Sequence, residues 1–368
     1  MLKNILKTLK SVQKSLFLNV FLKKEIPFIP NTGQNPGKSF LNEADLSGKM
    51  ESKGEKTMQK RWVADLTLTG IAFVWGITFV LVQDAIATLP PFHFLMIRFA
   101  LAAFFLFIYL LCRKPENLSK SDRKRNWTAG ALLGLFLFLG YALQTFSLLY
   151  TTSGKSGFLT GTSVALVPVF ALFILREKMK FSSAIGALLA LCGLYLLAFT
   201  DFSSVNYGDV LAFLCAIFFA LQIIYTGKYT NSTSMMHLVT IQLATVAVLS
   251  GICALFTERR TIFAGLGHLF TPGVIIALVV TSLFCTSLAF IAQTHVQKQT
   301  SPTKVALIFS LEPVFAALGD YFWNGIALTG RSFLGCLFIL AGMILSELPA
   351  SSFSFLKRKA GKNLKKNG

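Results

Sequence analysis

The chain has 368 residues, of which 54% are hydrophobic and only 14% are charged, and its mean hydropathy is +0.63. A water-soluble fold of this size needs more polar surface than this composition supplies. The 36 phenylalanines fit a surface that faces lipid, since water would make so many exposed rings an aggregation hazard. The composition therefore excludes a soluble globular protein and indicates a membrane protein.

The net charge of +19 lies almost wholly in the loops and termini. Basic loops beside membrane spans orient helices during insertion and need no polynucleotide partner, so we expect no nucleic-acid binding. The six cysteines are dispersed without a C-x-x-C pair, and the four histidines do not cluster with them. The sequence therefore predicts no disulfide framework, no metal site and no cofactor.

From Asp65 onward, ten apolar runs approach the roughly 20 residues that a helix needs to cross the hydrocarbon core. Glycine, alanine, leucine and phenylalanine recur in them without the polar alternation of outer-membrane strands. The predicted fold is all-α and polytopic, with ten transmembrane helices. The runs are 66–86, 92–112, 127–149, 156–175, 183–200, 209–227, 237–256, 273–293, 303–323 and 331–348.

Small residues recur at short spacing inside several of these runs. Gly130, Gly134 and Gly140 share one run, and Gly186 and Gly193 share another. Such residues let helices approach closely where lipid removes the hydrophobic drive for association. Ordinary glycine within a span is the alternative for each of them.

Lysine and arginine are unevenly divided between the two alternating sets of loops. If the chain crosses ten times and the count starts at Lys60, just before the first run, one set of segments, which ends with the C-terminal tail, contains 20 of these residues and the other contains 4. Because basic loops stay on the cytoplasmic side, both termini are predicted to be cytoplasmic. An odd number of spans would destroy this segregation.

Residues 1–57 are predicted to form an extension. Over residues 1–16, lysines recur at helical spacing against leucine, isoleucine and valine, the pattern of a basic amphipathic helix on a membrane surface. The polar stretch 31–57 is predicted to be disordered. Two interpretations stay open: the extension is translated, or Met58 is the true initiator. The basic tail 349–368 is predicted to be cytoplasmic.

An internal repeat relates the two halves of the chain. Gln144-Thr145 and Lys155 recur 149 residues later as Gln293-Thr294 and Lys304. The sequence LVPVFA at 166–171 recurs 145 residues later as LEPVFA. The difference of four residues corresponds to about one helical turn.

The repeat also matches the helix boundaries, because Asp65 and Asp209 open the two halves 144 residues apart. The predicted repeats are 64–200 and 207–348, each with five spans. An odd number of spans makes the second half enter the membrane from the opposite side. Many secondary transporters use inverted repeats, since two such halves can expose a midplane site to either face.

Three ionisable residues lie well inside the predicted spans, where a charge costs roughly 2.5–3.5 kcal/mol on insertion scales. Arg98 either faces a central cavity and neutralises a substrate carboxylate or phosphate, or forms a structural ion pair or extends toward the basic loop. Glu312 precedes Pro313, which removes a backbone donor and weakens the helix locally, a combination that suits proton or cation coupling. Alternatively, Glu312 is held by Arg98 or by the backbone. Asp320 lies closer to the span end and is open to solvation.

Further polar and aromatic side chains inside the runs are candidates for lining a substrate cavity through hydrogen bonds and stacking. Hydrogen bonds that hold helices together are the alternative for each of them. These residues are Trp75, Gln144, Thr145, Gln222, Gln242 and Gln293.

In their order and spacing, the motifs of residues 64–348 resemble the ten-span EamA-like branch of the drug/metabolite transporter superfamily. One departure is Trp323-Asn324-Gly325, where that family usually ends its ninth span with a Gly-Glu pair, so no carboxylate role is carried over there. The matching motifs are Val74-Trp75-Gly76, Ile97-Arg98-Phe99, Gln144-Thr145, the run from Lys155 to Gly161, Leu166-Val167-Pro168 leading to Arg176-Glu177, the run from Gly208 to Ala212, the run from Gln299 to Thr303, and the run from Ser310 to Phe315.

The resemblance implies a secondary carrier of amino acids or related metabolites, often an exporter, in a bacterial inner (plasma) membrane. Multidrug efflux and nucleotide- or cofactor-type exchange are the alternatives. An ATP-driven pump is disfavoured because the sequence has no Gly-x-x-x-x-Gly-Lys-Ser/Thr loop. A membrane enzyme lacks convergent catalytic groups, and a channel lacks a filter-like loop or a charged ring. The expected partners are a small-molecule substrate, the bilayer and a proton as coupling ion, with the oligomeric state left open.

Overall fold

The computed structural model describes residues 43–113, 116–151, 153–177, 180–198, 206–259, 271–325 and 329–347, with side chains from Trp62 onward apart from a few inside helices. The predicted amphipathic helix of residues 1–16 and the tail 349–368 lie outside this part of the chain. Every regular element of the described residues is helical.

The α-helices are Glu43–Ile86, Pro91–Cys112, Lys120–Ser147, Ser153–Gly161, Ser163–Phe170, Phe181–Ala198, Tyr207–Tyr229, Met235–Thr257, Pro272–Val280, Ala289–Gln297, Pro302–Phe309, Glu312–Asn324 and Gly330–Glu347. Two segments, Ala171–Leu175 and Thr281–Leu288, continue their helices in π-helical form.

Together these helices form ten apolar segments. Eight are long and apolar enough to cross a membrane, and two shorter ones, Phe181–Leu197 and Gly330–Ser346, occupy the fifth and tenth places. We number them in chain order as spans 1 to 10. The eight longer spans are Trp62–Ile86, Pro91–Cys112, Lys120–Ser147, Lys155–Leu175, Tyr207–Tyr229, Met235–Thr257, Pro272–Gln297 and Pro302–Gly319, which are spans 1 to 4 and 6 to 9.

The helix of span 1 begins at Glu43, well before its apolar part. It includes residues 43–57, which the sequence analysis assigned to a disordered stretch because of their polarity. Those residues contain no proline and include three glutamates and three lysines, which favour helix once a neighbouring span has nucleated it.

Large apolar side chains cover the outside of the bundle, as lipid requires. Phe107, Leu111, Phe173 and Phe256 are all more than half exposed, with Phe256 at 84%. In water these rings would form adhesive patches. Their exposure agrees with the expectation drawn from the phenylalanine content.

Contacts between spans of different halves come in exchanged pairs. Span 1 packs against span 9 as span 6 packs against span 4, and span 2 packs against span 8 as span 7 packs against span 3. Spans 5 and 10 pack against each other, as do spans 2 and 7. Exchanging the two halves leaves this set of contacts unchanged, which is the arrangement of two five-helix repeats related by a two-fold axis.

Close glycine contacts give the relative directions of spans 5 and 10. A Cβ on Gly186 would lie 2.6 Å from the carbonyl oxygen of Gly342, and one on Gly193 would lie 2.5 Å from that of Gly335. The earlier glycine of span 5 lies against the later glycine of span 10, and the later one lies against the earlier one. The two spans are therefore antiparallel. This is the direction that inverted repeats require for their fifth members.

Spans 3 and 7 run in parallel, again as inverted repeats require. A Cβ on Gly130 would lie 3.1 Å from the Leu238 carbonyl oxygen, and one on Gly134 would lie 2.7 Å from that of Gln242. A Cβ on Gly140 of span 3 would lie 2.6 Å from the Phe219 ring. The prediction that these glycines allow close helix approach is confirmed, and so is the all-α, polytopic fold class.

Spans 4 and 9 are each interrupted near their middle. The helix of span 4 stops at Gly161 and resumes at Ser163, and that of span 9 stops at Phe309 and resumes at Glu312. The predicted weakening next to Pro313 is thus confirmed, because proline supplies no backbone donor to the preceding turn. The break in span 4 was not predicted, since no proline adjoins it.

Candidate functional site

A cavity lies between the two halves, at the interrupted middles of spans 4 and 9. Its empty volume is about 880 Å³ when the part open to solvent is counted. Spans 1 to 4 of the first half and spans 6, 8 and 9 of the second line it. The lining residues are Trp75, Thr78, Phe79, Val82, Arg98, Leu137, Tyr141, Gln144, Thr145, Leu148, Gly157, Thr160, Gly161, Ser163, Phe219, Gln222, Ile223, Phe290, Gln293, Phe309, Glu312 and Pro313.

Eight residues that the sequence analysis proposed for this site meet in the cavity: Trp75, Arg98, Gln144, Thr145, Gln222, Gln293, Glu312 and Pro313. Gln242 does not line it. The Gln242 side chain is fully buried in span 7, and neither of its amide atoms has a hydrogen-bond partner among the described residues. The side chains of Asp320, Trp323 and Asn324 lie outside the described part.

Arg98 is 4% exposed and is held by contacts that leave its charge unneutralised. Its Nε donates a 2.9 Å hydrogen bond to Thr286 Oγ1, and its guanidinium carbon lies 4.9 Å from the centroid of the Tyr141 ring and 5.4 Å from that of Phe99. No described carboxylate oxygen lies within 4.0 Å of its nitrogens. The geometry orients the cation without pairing it, as a site for an anionic group requires.

The π-helical segment Thr281–Leu288 in span 8 organises this side of the cavity. Thr286 accepts the bond from Arg98, and the carbonyl oxygen of Cys285 accepts a 2.7 Å hydrogen bond from the Trp75 indole nitrogen. Such wide turns are frequent at functional sites, because they change the pattern in which backbone carbonyls are used. Two consecutive residues of span 8 thus orient two cavity side chains from spans 1 and 2.

Glu312 begins the second helix of span 9, next to the interruption at Ser310 and Leu311. Its carboxylate has no hydrogen bond or ion pair to any described residue, and Arg98 lies beyond 4.0 Å. Neither Arg98 nor the backbone therefore holds it through a direct hydrogen bond or ion pair among the described residues. A carboxyl group that lines a cavity inside the membrane without a protein partner is available to a proton or a ligand.

Amide side chains from spans 6 and 8 form a short hydrogen-bonded chain. Gln293 Nε2 donates to Gln222 Oε1 at 3.2 Å and to Gln297 Oε1 at 3.3 Å, and Gln222 Nε2 donates to Thr226 Oγ1 at 3.1 Å. Gln293 Oε1 is buried and has no hydrogen-bond partner among the described residues. This acceptor is unused although the cavity adjoins it.

The equivalent glutamine of the first half has a different environment. Gln144 Nε2 donates to Thr160 Oγ1 at 3.3 Å, and the Thr160 hydroxyl lies 3.2 Å from Cys215 Sγ. Thr145 is buried beside it and lines the same wall. The repeat is therefore symmetric in backbone but not in polar contacts, so the cavity has two chemically distinct sides.

Aromatic rings make up much of the remaining wall. Trp75 lies 4.9 Å from Phe309 and 5.7 Å from Phe290 between ring centroids, and Tyr141 lies 5.2 Å from Phe219. Rings of this kind supply apolar contact area at low conformational cost. With Arg98 and Glu312 the wall is amphiphilic.

Comparison with known proteins identifies the family of the chain. The model of the EamA-like transporter family matches residues 62–199 and again residues 206–348. The chain belongs to the EamA-like transporter family. That family is part of the drug/metabolite transporter superfamily, so the resemblance noted from the motifs is confirmed. This protein is a membrane transporter and not an enzyme.

Similar proteins share nearly the whole membrane part. An uncharacterized transporter of Archaeoglobus fulgidus is 32% identical over 289 residues, which cover 78% of this chain and 87% of that protein. The uncharacterized transporter YoaV of Bacillus subtilis is 23% identical, over 80% of this chain and 98% of its own length. A solved crystal structure has a TM-score of 0.63 at 17% identity, covering 77% of this chain and 96% of that one, and shows the fold alone.

Proposed function

We propose that this EamA-like protein is a secondary transporter that exports a small amphiphilic metabolite, such as an amino acid, by alternating access. The observation that carries the proposal is the cavity between the repeats, which presents an unpaired Arg98 and an unpaired Glu312 among aromatic rings. Two inverted halves around one site are the arrangement that alternating access uses.

The chemistry of the wall supports a substrate with an anionic group. The Arg98 guanidinium keeps donors in addition to the one used for Thr286, and a carboxylate binds such a fork through charge-assisted hydrogen bonds. Opposite charges inside a low-dielectric cavity interact more strongly than in water.

Glu312 supports proton coupling. Its carboxyl group lines the same cavity and has no partner among the described residues. A group that is protonated in one half of the cycle and released in the other links substrate movement to the proton gradient.

The test is reconstitution of the purified full chain into liposomes with an imposed pH gradient and a panel of labelled amino acids. The wild type is expected to drive concentrative flux of at least one of them. Glu312→Gln is expected to abolish gradient-driven flux but to retain exchange of substrate down its own gradient. Equal pH-driven flux in Glu312→Gln and the wild type would remove the coupling role, and no flux of any amino acid would remove the substrate class.

Multidrug efflux is the second candidate, favoured by the aromatic wall around Glu312. A lipophilic cation would use the rings and the carboxylate and would be repelled by Arg98. The variant Arg98→Gln distinguishes the two candidate functions. Amino-acid flux is expected to fall in it if the protein carries amino acids, whereas extrusion of a lipophilic cation is expected to rise if the protein is a multidrug exporter.

The bilayer is proposed to be the bacterial inner (plasma) membrane, with both termini in the cytoplasm. The excess of lysine and arginine in one set of loops supports this orientation. Protease protection of a C-terminal epitope in intact cells tests it. Digestion from outside would contradict it.

A further inference from the structure

Two lysine–aspartate ion pairs occupy equivalent places in the two repeats. Lys304 Nζ lies 2.8 Å from Asp65 Oδ1 and 3.0 Å from its Oδ2, and Lys155 Nζ lies 3.7 Å from Asp209 Oδ2. Each pair joins one half of the chain to the other. Exchanging the halves converts one pair into the other, since the lysines are 149 residues apart and the aspartates 144.

The pairs lie at opposite ends of the bundle. Asp65 and Lys304 are in the first turns of spans 1 and 9, and Lys155 and Asp209 are in the first turns of spans 4 and 6. Each crossing reverses direction, so spans 1 and 9 start at one membrane face and spans 4 and 6 start at the other. An ion pair between two first turns therefore closes one face only.

We propose that these four residues form the two gates of the transport cycle, with Lys304–Asp65 closing the cavity at one face and Lys155–Asp209 closing it at the other. The inference rests on the alternating access proposed above. The two ion pairs must then open alternately during the cycle, so that one face is closed while the other is open.

Spans 4 and 9 connect each gate to the cavity. They are the two interrupted spans, and each carries a gate lysine at its start and cavity residues at its break. Eight residues separate Lys304 from Glu312, about 12 Å of helix. A ligand at Glu312 that tilts the second helix of span 9 against the first therefore acts on Lys304 through one short rigid segment.

The aspartate of the Lys304–Asp65 pair does not serve as a helix cap. Asp65 lies inside a helix that begins at Glu43, so its carboxylate does not cap a helix end. Asp209 differs, since it belongs to a capping box with Asn206 and accepts a 2.7 Å bond from Thr151 Oγ1. A substitution of Asp209 would change both the ion pair and the helix cap. Lys155 is therefore the better residue to substitute in the Lys155–Asp209 pair.

The two gates are unequally closed in this structure. The Asp65 gate has both carboxylate oxygens within 3.0 Å of the ammonium nitrogen, whereas the Asp209 gate is stretched to 3.7 Å. A tight gate at one face and a loose gate at the other are what a carrier has when its cavity is exposed to one side at a time. Under the proposed gating, this inequality corresponds to the state that is closed at the Asp65 face.

A cysteine at Gly157 provides a reporter that needs no knowledge of the substrate. Gly157 lines the cavity close to the Asp209 face, and a Cβ there meets no atom within 4 Å. The reporter is placed in a full-length chain in which the four more accessible native cysteines are replaced by serine, and a chain without the reporter gives the background. Those cysteines are Cys112, Cys192, Cys253 and Cys336. The measurement is the rate of labelling by a membrane-impermeant maleimide applied from the Asp209 face of sealed vesicles.

The two gates are expected to change the labelling rate in opposite directions. Lys155→Gln opens the Asp209 face and raises the rate, and Asp65→Asn opens the other face and lowers it, each by up to about five-fold, the range that a partly exposed ion pair provides. Loss of the nearby Lys155 charge by itself lowers thiol reactivity, so a higher rate is not an electrostatic artefact. The exchanged pair Asp65→Lys with Lys304→Asp is expected to restore the wild-type rate.

Asp122→Asn serves as the matched control, because it removes a half-buried carboxylate from the first turn of span 3, which starts at the same face as span 1, and this carboxylate contacts the Ser119 hydroxyl of its own helix end rather than the other half. It is expected to leave the rate unchanged. Equal shifts in the same direction for the two gate variants, or no shift in either, would overturn the gate assignment. Opposite shifts in a chain that moves none of the labelled amino acids in liposomes would instead keep the gates and remove the proposed substrate class.

Discussion

Substitution of Gly76 by alanine tests how closely span 1 must approach the interruption in span 9. A Cβ at this position would lie 2.5 Å from the Glu312 carbonyl oxygen, 2.7 Å from Phe315 Cβ and 2.8 Å from the Ala316 nitrogen. Two of these three atoms belong to the backbone, so no side-chain rotation relieves the contact. The spans must separate.

The magnitude follows from two opposing effects. Alanine gains up to about 1 kcal/mol over glycine from helix propensity, and overpacking of a close contact costs about 1–3 kcal/mol. We expect Gly76→Ala to destabilise the protein by about 1–2 kcal/mol on balance. Because Trp75 is the preceding residue, separation of the spans also shifts the cavity wall. We therefore expect the transport rate to fall even in the fraction of the variant that remains folded.

Gly319→Ala is the matched control in the partner span. A Cβ on Gly319 has Ile77 Cα at 3.7 Å, an ordinary van der Waals contact. It is expected to leave the unfolding temperature in detergent unchanged or slightly raised. If Gly76→Ala unfolds at the same temperature as Gly319→Ala, the close approach of the two spans in this structure is wrong.

Further predictions concern the groups that position the cavity residues. Thr286→Val removes the hydroxyl that accepts from Arg98 and is expected to raise KM for an anionic substrate about ten-fold with little change in maximal rate, while Thr286→Ser restores it; an equal loss in both variants would contradict this. Trp75→Phe removes the hydrogen bond to the Cys285 carbonyl and is expected to weaken substrate binding, without loss of folded protein. Isothermal titration calorimetry measures this binding without relying on tryptophan fluorescence. Gly193→Leu is expected to separate spans 5 and 10 and lower the yield of folded protein in membranes, whereas Gly330→Leu, at a position where a Cβ would meet no atom within 4 Å, is expected to be tolerated.

Sequence alone predicted the cavity residues because charge and amide groups are conspicuous in apolar runs. Arg98 and Glu312 stood out for that reason, and the repeat singled out Gln144 and Gln293. The repeat also named all four gate residues, but it gave no contact between them, since equivalence in a repeat does not state which side chains meet.

Other features of the site had no sufficient signal. The π-helical turn that brings Thr286 to Arg98 depends on packing between spans 2 and 8, and the hydroxyl-rich sequence at Thr281 and Ser282 is only a weak indication of it. Tyr141 looked like one more apolar residue, although its ring faces the Arg98 cation. Tertiary contacts decide such roles.

Substrate counterflow in liposomes tests most directly whether the cavity between the repeats is the transport site. The comparison is between Arg98→Gln and Arg113→Gln. Arg98 lies inside span 2, whereas Arg113 directly follows its last residue, is exposed and places its guanidinium carbon 5.5 Å from the centroid of the Tyr109 ring. We expect Arg98→Gln to lose counterflow of an anionic or zwitterionic substrate and Arg113→Gln to retain it. Equal counterflow in both variants would contradict the account.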